Sequence, residues 1–361
     1  LVKSAVGANS KVMSFLTAAA QAGQTTQGTS DVGNLFPYEQ GNIWRYQGRK
    51  SLPSAGGYDT TVLVSGHGAA PSTGVSSTIF SETNSGGDDR AEKHYQVKDS
   101  SGIVSHGNDD PGNNLTRQLV PFQAVHFPLT PGTSTVLADR TGLDWGSDED
   151  GDGRNETFSV KLFQTVAAIE TITVPAGTFD SLRVEFRAVF VVKFSRGGQA
   201  TVNQTNTDWR VPGVGNVKEV ISVQLEGDAL QTVLTEELEG YAVNGHGSGL
   251  RIEVAPQSIS MRVGQDKGMV ATAFDALNGQ VVGLPFTWLS TDSSVANIQP
   301  DGTLSGVALG TASITASLGG LKSNGISVTV SDVRILSIAT NDLTFDNASK
   351  MLYASVPIPG T

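Results

Sequence analysis

Residues 182–194 constrain this chain more than any other stretch. Leu182, Val184, Phe186, Ala188, Phe190, Val192 and Phe194 fall at alternate positions. Arg183, Glu185, Arg187 and Lys193 fall between them, with Val189 and Val191. A period of two puts the first set on one face of a strand and the charges on the other. A slip of one residue would bury those charges, so the register is fixed. The same reading gives strands over Tyr58 to Ser65, Ser76 to Glu82, Lys93 to Lys98, Thr201 to Val211 and Val217 to Leu225. Ala229 to Val243 is expected to close the sheet, and Pro175, Gly177 and Pro212-Gly213 form turns. Sequential strands with short turns and no intervening helices predict an all-β chain, an antiparallel sheet or open barrel.

Composition agrees and narrows the function. The 361 residues include 42 Gly and no Cys, and only 16% are charged. A β-rich, turn-rich chain without Cys has no disulfide framework and no thiol chemistry. The net charge of −11 and the pI near 4.9 argue against nucleic acid and anionic membrane surfaces as partners. No apolar run approaches the roughly 20 residues of a membrane span. The start at Leu1 reads as that of a processed chain.

Five segments follow. Residues 1–34 hold a short helix, with Val12, Phe15, Leu16 and Ala19 at helical spacing between Ala8 and Gln21, and then a Gly/Thr/Gln-rich linker. Residues 35–243 form the antiparallel β domain. Residues 244–249 (Asn-Gly-His-Gly-Ser-Gly) read as a flexible linker, 250–332 as a compact β module, and 333–361 as a two-stranded tail.

One loop demands specific chemistry. Asp148, Asp150 and Asp152 alternate, with Gly151 and Gly153 allowing the tight turn. Against a twelve-position calcium loop these acids take positions 1, 3 and 5. Arg154 would offer its carbonyl at 7 and Glu156 stands at 9, while position 12 is Ser159 rather than a bidentate Glu. Hard oxygen donors favour Ca²⁺ over transition metals, so calcium is the expected cofactor, in a structural role. A solvated acidic turn is the competing reading. Asp88-Asp89 and Asp109-Asp110 read as solvated turns. His67, His94, His106, His126 and His246 are scattered, match no ligand or catalytic motif, and are expected in loops or at the surface. Trp44 and Trp209 are expected in the core, and Trp145 is open between core packing and sugar stacking.

Residues 250–332 resemble a bacterial immunoglobulin-like domain of group 2. The likeness rests on Ile252-Glu-Val-Ala-Pro, Met261-Arg-Val-Gly, the stretch from Phe286 through Trp288 to Ile298, and Asp301-Gly-Thr-Leu-Ser-Gly with Gly310-Thr-Ala-Ser-Ile-Thr-Ala. It implies a sandwich module of surface adhesins and extracellular enzymes, with Trp288 turned inward under Val295 and Ile298. Residues 35–243 are similar to secreted, lipoprotein-like bacterial β domains of unassigned activity, through Phe36-Pro-Tyr-Glu-Gln-Gly-Asn-Ile-Trp-Arg-Tyr, Val174-Pro-Ala-Gly-Thr-Phe-Asp and Trp209-Arg-Val-Pro-Gly-Val-Gly. The tail, Asn341 to Asp346 and Met351 to Val356, resembles the start of a β-propeller blade.

The expected function is that of an extracellular, bacterial, calcium-binding structural or adhesion protein without catalytic residues. It self-associates by strand addition or meets other surface proteins, and a glycan is a possible ligand. A secreted hydrolase, or a carrier holding a lipid or sugar in the half-open barrel, is the alternative.

Overall fold

The computed structural model describes residues 36–51, 55–85, 92–332 and 342–355. The helix expected between Ala8 and Gln21, the linker after it, Asp88-Asp89 and Ile335 lie outside them. By contacts the chain divides into two compact units. The first comprises the described residues up to Ala255, with Val270–Trp288 and Thr315–Asn324. The second comprises Pro256–Met269, Leu289–Ile314 and the described residues from Gly325 onward.

The first unit is built on one antiparallel sheet made of two meanders. One runs β1 (Ile43–Lys50), β2 (Gly56–Ala69), β3 (Ser76–Asn84), β4 (Glu92–Asp99), β5 (Gly102–Asn108) and β6 (Phe122–His126). The other runs β7 (Ser134–Asp144), β8 (Thr157–Val174), β9 (Gly177–Lys193), β10 (Gln199–Val211), β11 (Gly215–Leu225) and β12 (Gln231–Val243). Each strand pairs with its sequence neighbour within a meander, and β1 pairs with β12. The segment expected to close the sheet therefore joins the meanders at its middle. The free edges, β6 and β7, lie near one another without a ladder, so the sheet is a nearly closed barrel.

That seam is stitched by a side chain. Gln164 of β8, buried in the interior, accepts from the His126 backbone N–H at 2.9 Å and donates to the His126 carbonyl at 2.9 Å. Its amide supplies the donor and acceptor that a neighbouring strand would give, so the edge of β6 is not left unsatisfied.

The face expected from 182–194 is the buried one. Leu182, Val184, Phe186, Ala188, Phe190 and Val192 join the main apolar cluster with Phe158, Val160, Leu162 and Phe122. Phe194 stands just past the end of β9, half-buried. A second cluster gathers Trp44, Tyr46, Val62, Val64, Phe80, Val217 and Leu238.

Two expectations are corrected here. A short helix, α1 (Asn114–Leu119), interrupts the strands. Its N-cap Asn113 accepts from the Thr116 amide at 3.1 Å, and Leu115 and Leu119, one turn apart, are buried. Six residues are too few to raise a helical period above the surrounding pattern. The expected flexible linker at 244–249 is also ordered. Asn244 and Gly245 both have positive φ (51° and 82°), and β13 (His246–Ser248) folds back onto β12. Asn-Gly is the dipeptide that a two-residue hairpin prefers. This unit also holds β14 (Arg251–Ala255), β17 (Val270–Phe274) and β18 (Gln280–Val281), which pair in that order.

In the second unit β15 (Ser258–Met261) runs parallel to β24 (Ile326–Val330), and β24 pairs antiparallel with the first half of β22 (Gly310–Leu318). A second small sheet orders β16 (Asp266–Gly268), β21 (Thr303–Gly306) and β20 (Ala296–Ile298). Ile259, Met261, Leu304, Ile314, Val328 and Val330 are buried at the alternate positions. Gly302, at φ 85°, lies in the four-residue loop that closes the β20–β21 hairpin, longer than the two-residue turn that Asp301-Gly302 alone would suggest. β19 (Thr287–Ser290) runs across the boundary between the units after Trp288, and β23 (Leu321–Lys322) belongs to the first unit. Trp288 is half-buried, not the fully enclosed anchor expected of it. The tail forms the expected hairpin, β25 (Asp342–Asp346) with β26 (Met351–Ser355), as a separate two-stranded sheet. Among the described residues no helix is long and apolar enough to cross a membrane.

Candidate metal site and its surroundings

The acidic loop leaves β7 and returns into β8, and its neck is held by backbone. The Trp145 N–H donates to the Glu156 carbonyl at 2.9 Å, and the Glu156 N–H donates to the Ser147 carbonyl at 3.0 Å. Trp145 anchors this neck in the core. It is 3% exposed and sets its ring edge-to-face on Phe158 and Phe190, at 5.5 and 6.4 Å between centroids. It is thus a packing residue rather than a stacking platform.

Above that floor Asp148, Asp150 and Glu156 each place one carboxylate oxygen within 4.8 Å of the others. Asp148 accepts from the amides of Gly151 (2.6 Å), Asp152 (3.1 Å) and Gly153 (2.7 Å). Gly151 and Gly153 hold positive φ of 76° and 87°, which fold the loop back over this carboxylate. The Gly153 amide foremost, then those of Gly151 and Asp152, with Arg196 nearby, hold the Asp148 carboxyl below the usual carboxylate range. Glu156 is buried and accepts from the Glu149 and Asp150 amides and, through its other oxygen, from Ser195.

The β9–β10 turn forms the second wall. The Arg196 amide donates to Asp150 Oδ2 at 2.8 Å, and its guanidinium donates to the carbonyls of Asp150 and Gly151. Asp150 Oδ1 is buried and has no hydrogen-bond partner. A cation between the three carboxylates would give that oxygen the partner it lacks. Ionised carboxylates keep lone pairs free for such ligation while accepting amide hydrogen bonds. The donor set is therefore hard, all oxygen and anionic, and fits Ca²⁺.

Of the four expected carboxylate ligands, three converge. Asp152 does not join them, and its Oδ1 accepts instead from the Arg154 amide at 2.9 Å in a turn of its own. Ser195 and Arg196 were not legible as part of this site. They lie about 40 residues away, and only the β9–β10 hairpin brings them over the loop.

The interior of the sheet holds a second set of ionisable groups that sequence reading missed. Along β10 the inward positions are Val202, Gln204, Asn206, Asp208 and Arg210, all buried. Glu219 of β11 and Glu236 of β12 face the same interior. The available signal was Glu219, which occupies the phase of Val217, Ile221 and Val223 in an otherwise apolar alternation. Arg210 pairs with Asp208 and lies over Phe36 and Phe186, at 5.6 and 5.7 Å from the ring centroids.

Two histidines also depart from expectation. His94 and His106 are buried rather than superficial: His94 Nε2 stands 3.5 Å from Glu82, and His106 Nδ1 lies 3.0 Å from the Thr73 hydroxyl. Trp44 is buried and donates to the Val214 carbonyl, as a core residue should. Trp209, expected in the core, is half-buried and packs against the second apolar cluster. There its N–H meets Glu170 and Lys218 lies over its ring.

No protein-family model matches the chain, and no curated protein matches it. Among solved structures, a candidate exported protein with a YmcC-like fold from Bacteroides fragilis aligns at 12% identity and a TM-score of 0.29. The alignment covers 56% of this chain and 96% of that one. A candidate lipoprotein from Parabacteroides distasonis aligns at 16% identity and a TM-score of 0.31, with the same coverage. Domains 4 and 5 of the S-layer protein SbsC align at 20% identity and a TM-score of 0.24, over 47% of this chain and 96% of that one. Likenesses at these scores carry no argument about fold or activity.

Proposed function

We propose that this chain is a calcium-stabilised structural protein of the bacterial cell exterior, with the 148–156 loop as its metal site. The observation that supports this reading is the convergence of Asp148, Asp150 and Glu156 around the unpartnered, buried Asp150 Oδ1. The ion clamps the loop to the β9–β10 turn and takes no part in chemistry. With Ser159 at the position of the usual bidentate Glu, the dissociation constant belongs on the order of 10⁻⁵ to 10⁻³ M. A site that weak fills only where calcium is plentiful, which is outside the cell. Assembly runs through the hairpin β25–β26. Its Leu343, Phe345, Met351, Leu352 and Tyr353 are 54–63% exposed, and among the described residues its two strands pair only with each other, so its apolar face is the surface for strand addition by another copy or another surface protein.

Calorimetric titration of the full chain with CaCl₂, and separately with MgCl₂, tests the metal assignment. Calcium should bind at one site in that range and more tightly than magnesium, and Asp150→Asn should abolish the heat. Equal binding by wild type and Asp150→Asn would overturn the assignment.

A further inference from the structure

Asp208 on β10, Glu219 on β11 and Glu236 on β12 stand directly opposite one another across two successive strand pairings. All three face the interior and are 0%, 2% and 5% exposed. Directly opposed residues on neighbouring strands lie about 4.5–5.5 Å apart at Cβ, where like charges repel. Each carboxylate has a partner of a different kind, and the Tyr58 phenol also stands against Glu236. Asp208 has Arg210, Glu219 accepts from the Asn206 amide at 2.7 Å, and Glu236 accepts from the Thr60 hydroxyl at 2.8 Å.

The surrounding strands add little positive charge. Among the described residues, Arg210 is the permanent cation that acts on the ladder. Tyr46 on β1 and Tyr58 on β2 face it as neutral phenols, both held above their ordinary range by burial first and by these carboxylates next. Glu82 on β3 adds a fourth carboxylate. His94 on β4 pairs with Glu82, and Glu92 and Asp109 act on it too. One guanidinium offsets one buried carboxylate. Leaving the others ionised and unpaired out of water costs far more than neutralising them.

We propose that the Asp208–Glu219–Glu236 ladder takes up protons on folding, chiefly at Glu219 and Glu236, and so makes the first unit a pH-sensitive element that is tightest below neutrality. The direction of titration agrees. Burial, and then the Asp208 and Glu236 carboxylates, push Glu219 well above the usual carboxylate range. Burial and Glu82 raise Glu236 from 4.5 to about 7. Burial raises Asp208 to about 6 against the pull of Arg210. A carboxyl whose folded value lies above its unfolded value binds more protons folded than unfolded between the two. Stability is therefore full below the unfolded value and falls as pH rises to the folded one. His94 adds the same sign: burial lowers it, but Glu82, Glu92 and Asp109 raise it on balance.

The test uses the full chain. Its infrared spectrum in D₂O at neutral pH should show the carbonyl stretch of a protonated carboxylic acid, weakened in Glu219→Gln and Glu236→Gln. The urea midpoint of the wild type should fall from pH 5 to pH 8, with the folded-to-unfolded ratio dropping on the order of a hundredfold. Either Gln variant should flatten that fall. Glu237→Gln, which removes an outward partner of Lys218, should keep it. Absence of the acid band, a wild-type midpoint that is flat or rises with pH, or an unchanged slope in both Gln variants would overturn the proposal. Should the variants fail to fold, the wild-type spectrum decides.

Discussion

The side-chain amide of Gln164 pairs with the backbone of His126 as a strand would, donating to its carbonyl and accepting from its N–H, each at 2.9 Å. This is one of two such polar ties across the seam between the two meanders among the described residues; the Gln118 amide likewise donates to the Asp144 carbonyl and accepts from its N–H, at 2.8 and 2.7 Å. Gln164→Leu keeps the volume and leaves both His126 groups without their partner inside the barrel. Each such group costs about 1–3 kcal/mol, so the urea midpoint should drop. The His126 amide should also exchange with solvent faster than its neighbours in β5. Exchange at His126 as slow as in the wild type would show that the seam does not depend on this residue.

Trp145 ties the acidic loop to the core through Phe158 and Phe190. Trp145→Ala should destabilise the first unit by about 3–5 kcal/mol, as truncation of a buried aromatic does. Calcium affinity should fall with it, because the hydrogen bonds between Trp145, Ser147 and Glu156 fix the neck of the loop. Circular dichroism melts with and without calcium measure both effects. Full stability with weakened calcium binding would place Trp145 in the site rather than under it.

The loop should resist acid. Asp148 titrates below its ordinary 3.8 because the Gly153, Gly151 and Asp152 amides favour the charged form. For a carboxyl lowered in this way, stabilisation is present above the unfolded value and is lost as pH falls through the folded one. Calcium affinity should therefore change little at Asp148 between pH 7 and pH 5 and decline below about 3.8. At a hundredfold excess over its dissociation constant, calcium should add about 2.7 kcal/mol to the first unit. Chelator should lower one melting transition and leave the other. An affinity that collapses already at pH 5 would remove Asp148 from the ligand set.

Leu343, Phe345, Leu352 and Ala354 share one face of the β25–β26 hairpin, with Leu343 opposite Ala354 and Phe345 opposite Leu352. Leu343→Lys with Phe345→Glu should abolish concentration-dependent self-association in light scattering, without altering the thermal melt. Association that survives the double substitution would take the hairpin out of assembly.

Much of this protein was legible in its sequence. The alternation over 182–194 fixed the buried face of β9, because only one register keeps Arg183, Glu185, Arg187 and Lys193 in water. Asp148, Asp150 and Glu156 announced their loop through local spacing, and the two glycines supplied the φ it needs. The tertiary structure decided what local pattern cannot carry. Along β10 both faces are polar, with Asn203, Thr205 and Thr207 between Gln204, Asn206 and Asp208. Periodicity alone therefore could not say which face enters the interior. Which acids oppose one another depends on the pairing of β10, β11 and β12, and that Ser195 and Arg196 wall the metal loop depends on the β9–β10 hairpin. A carboxylate's environment is set by the strands beside it rather than by its neighbours in sequence. The same residue type therefore lines a surface loop at 148–156 and lies buried between strands in the barrel.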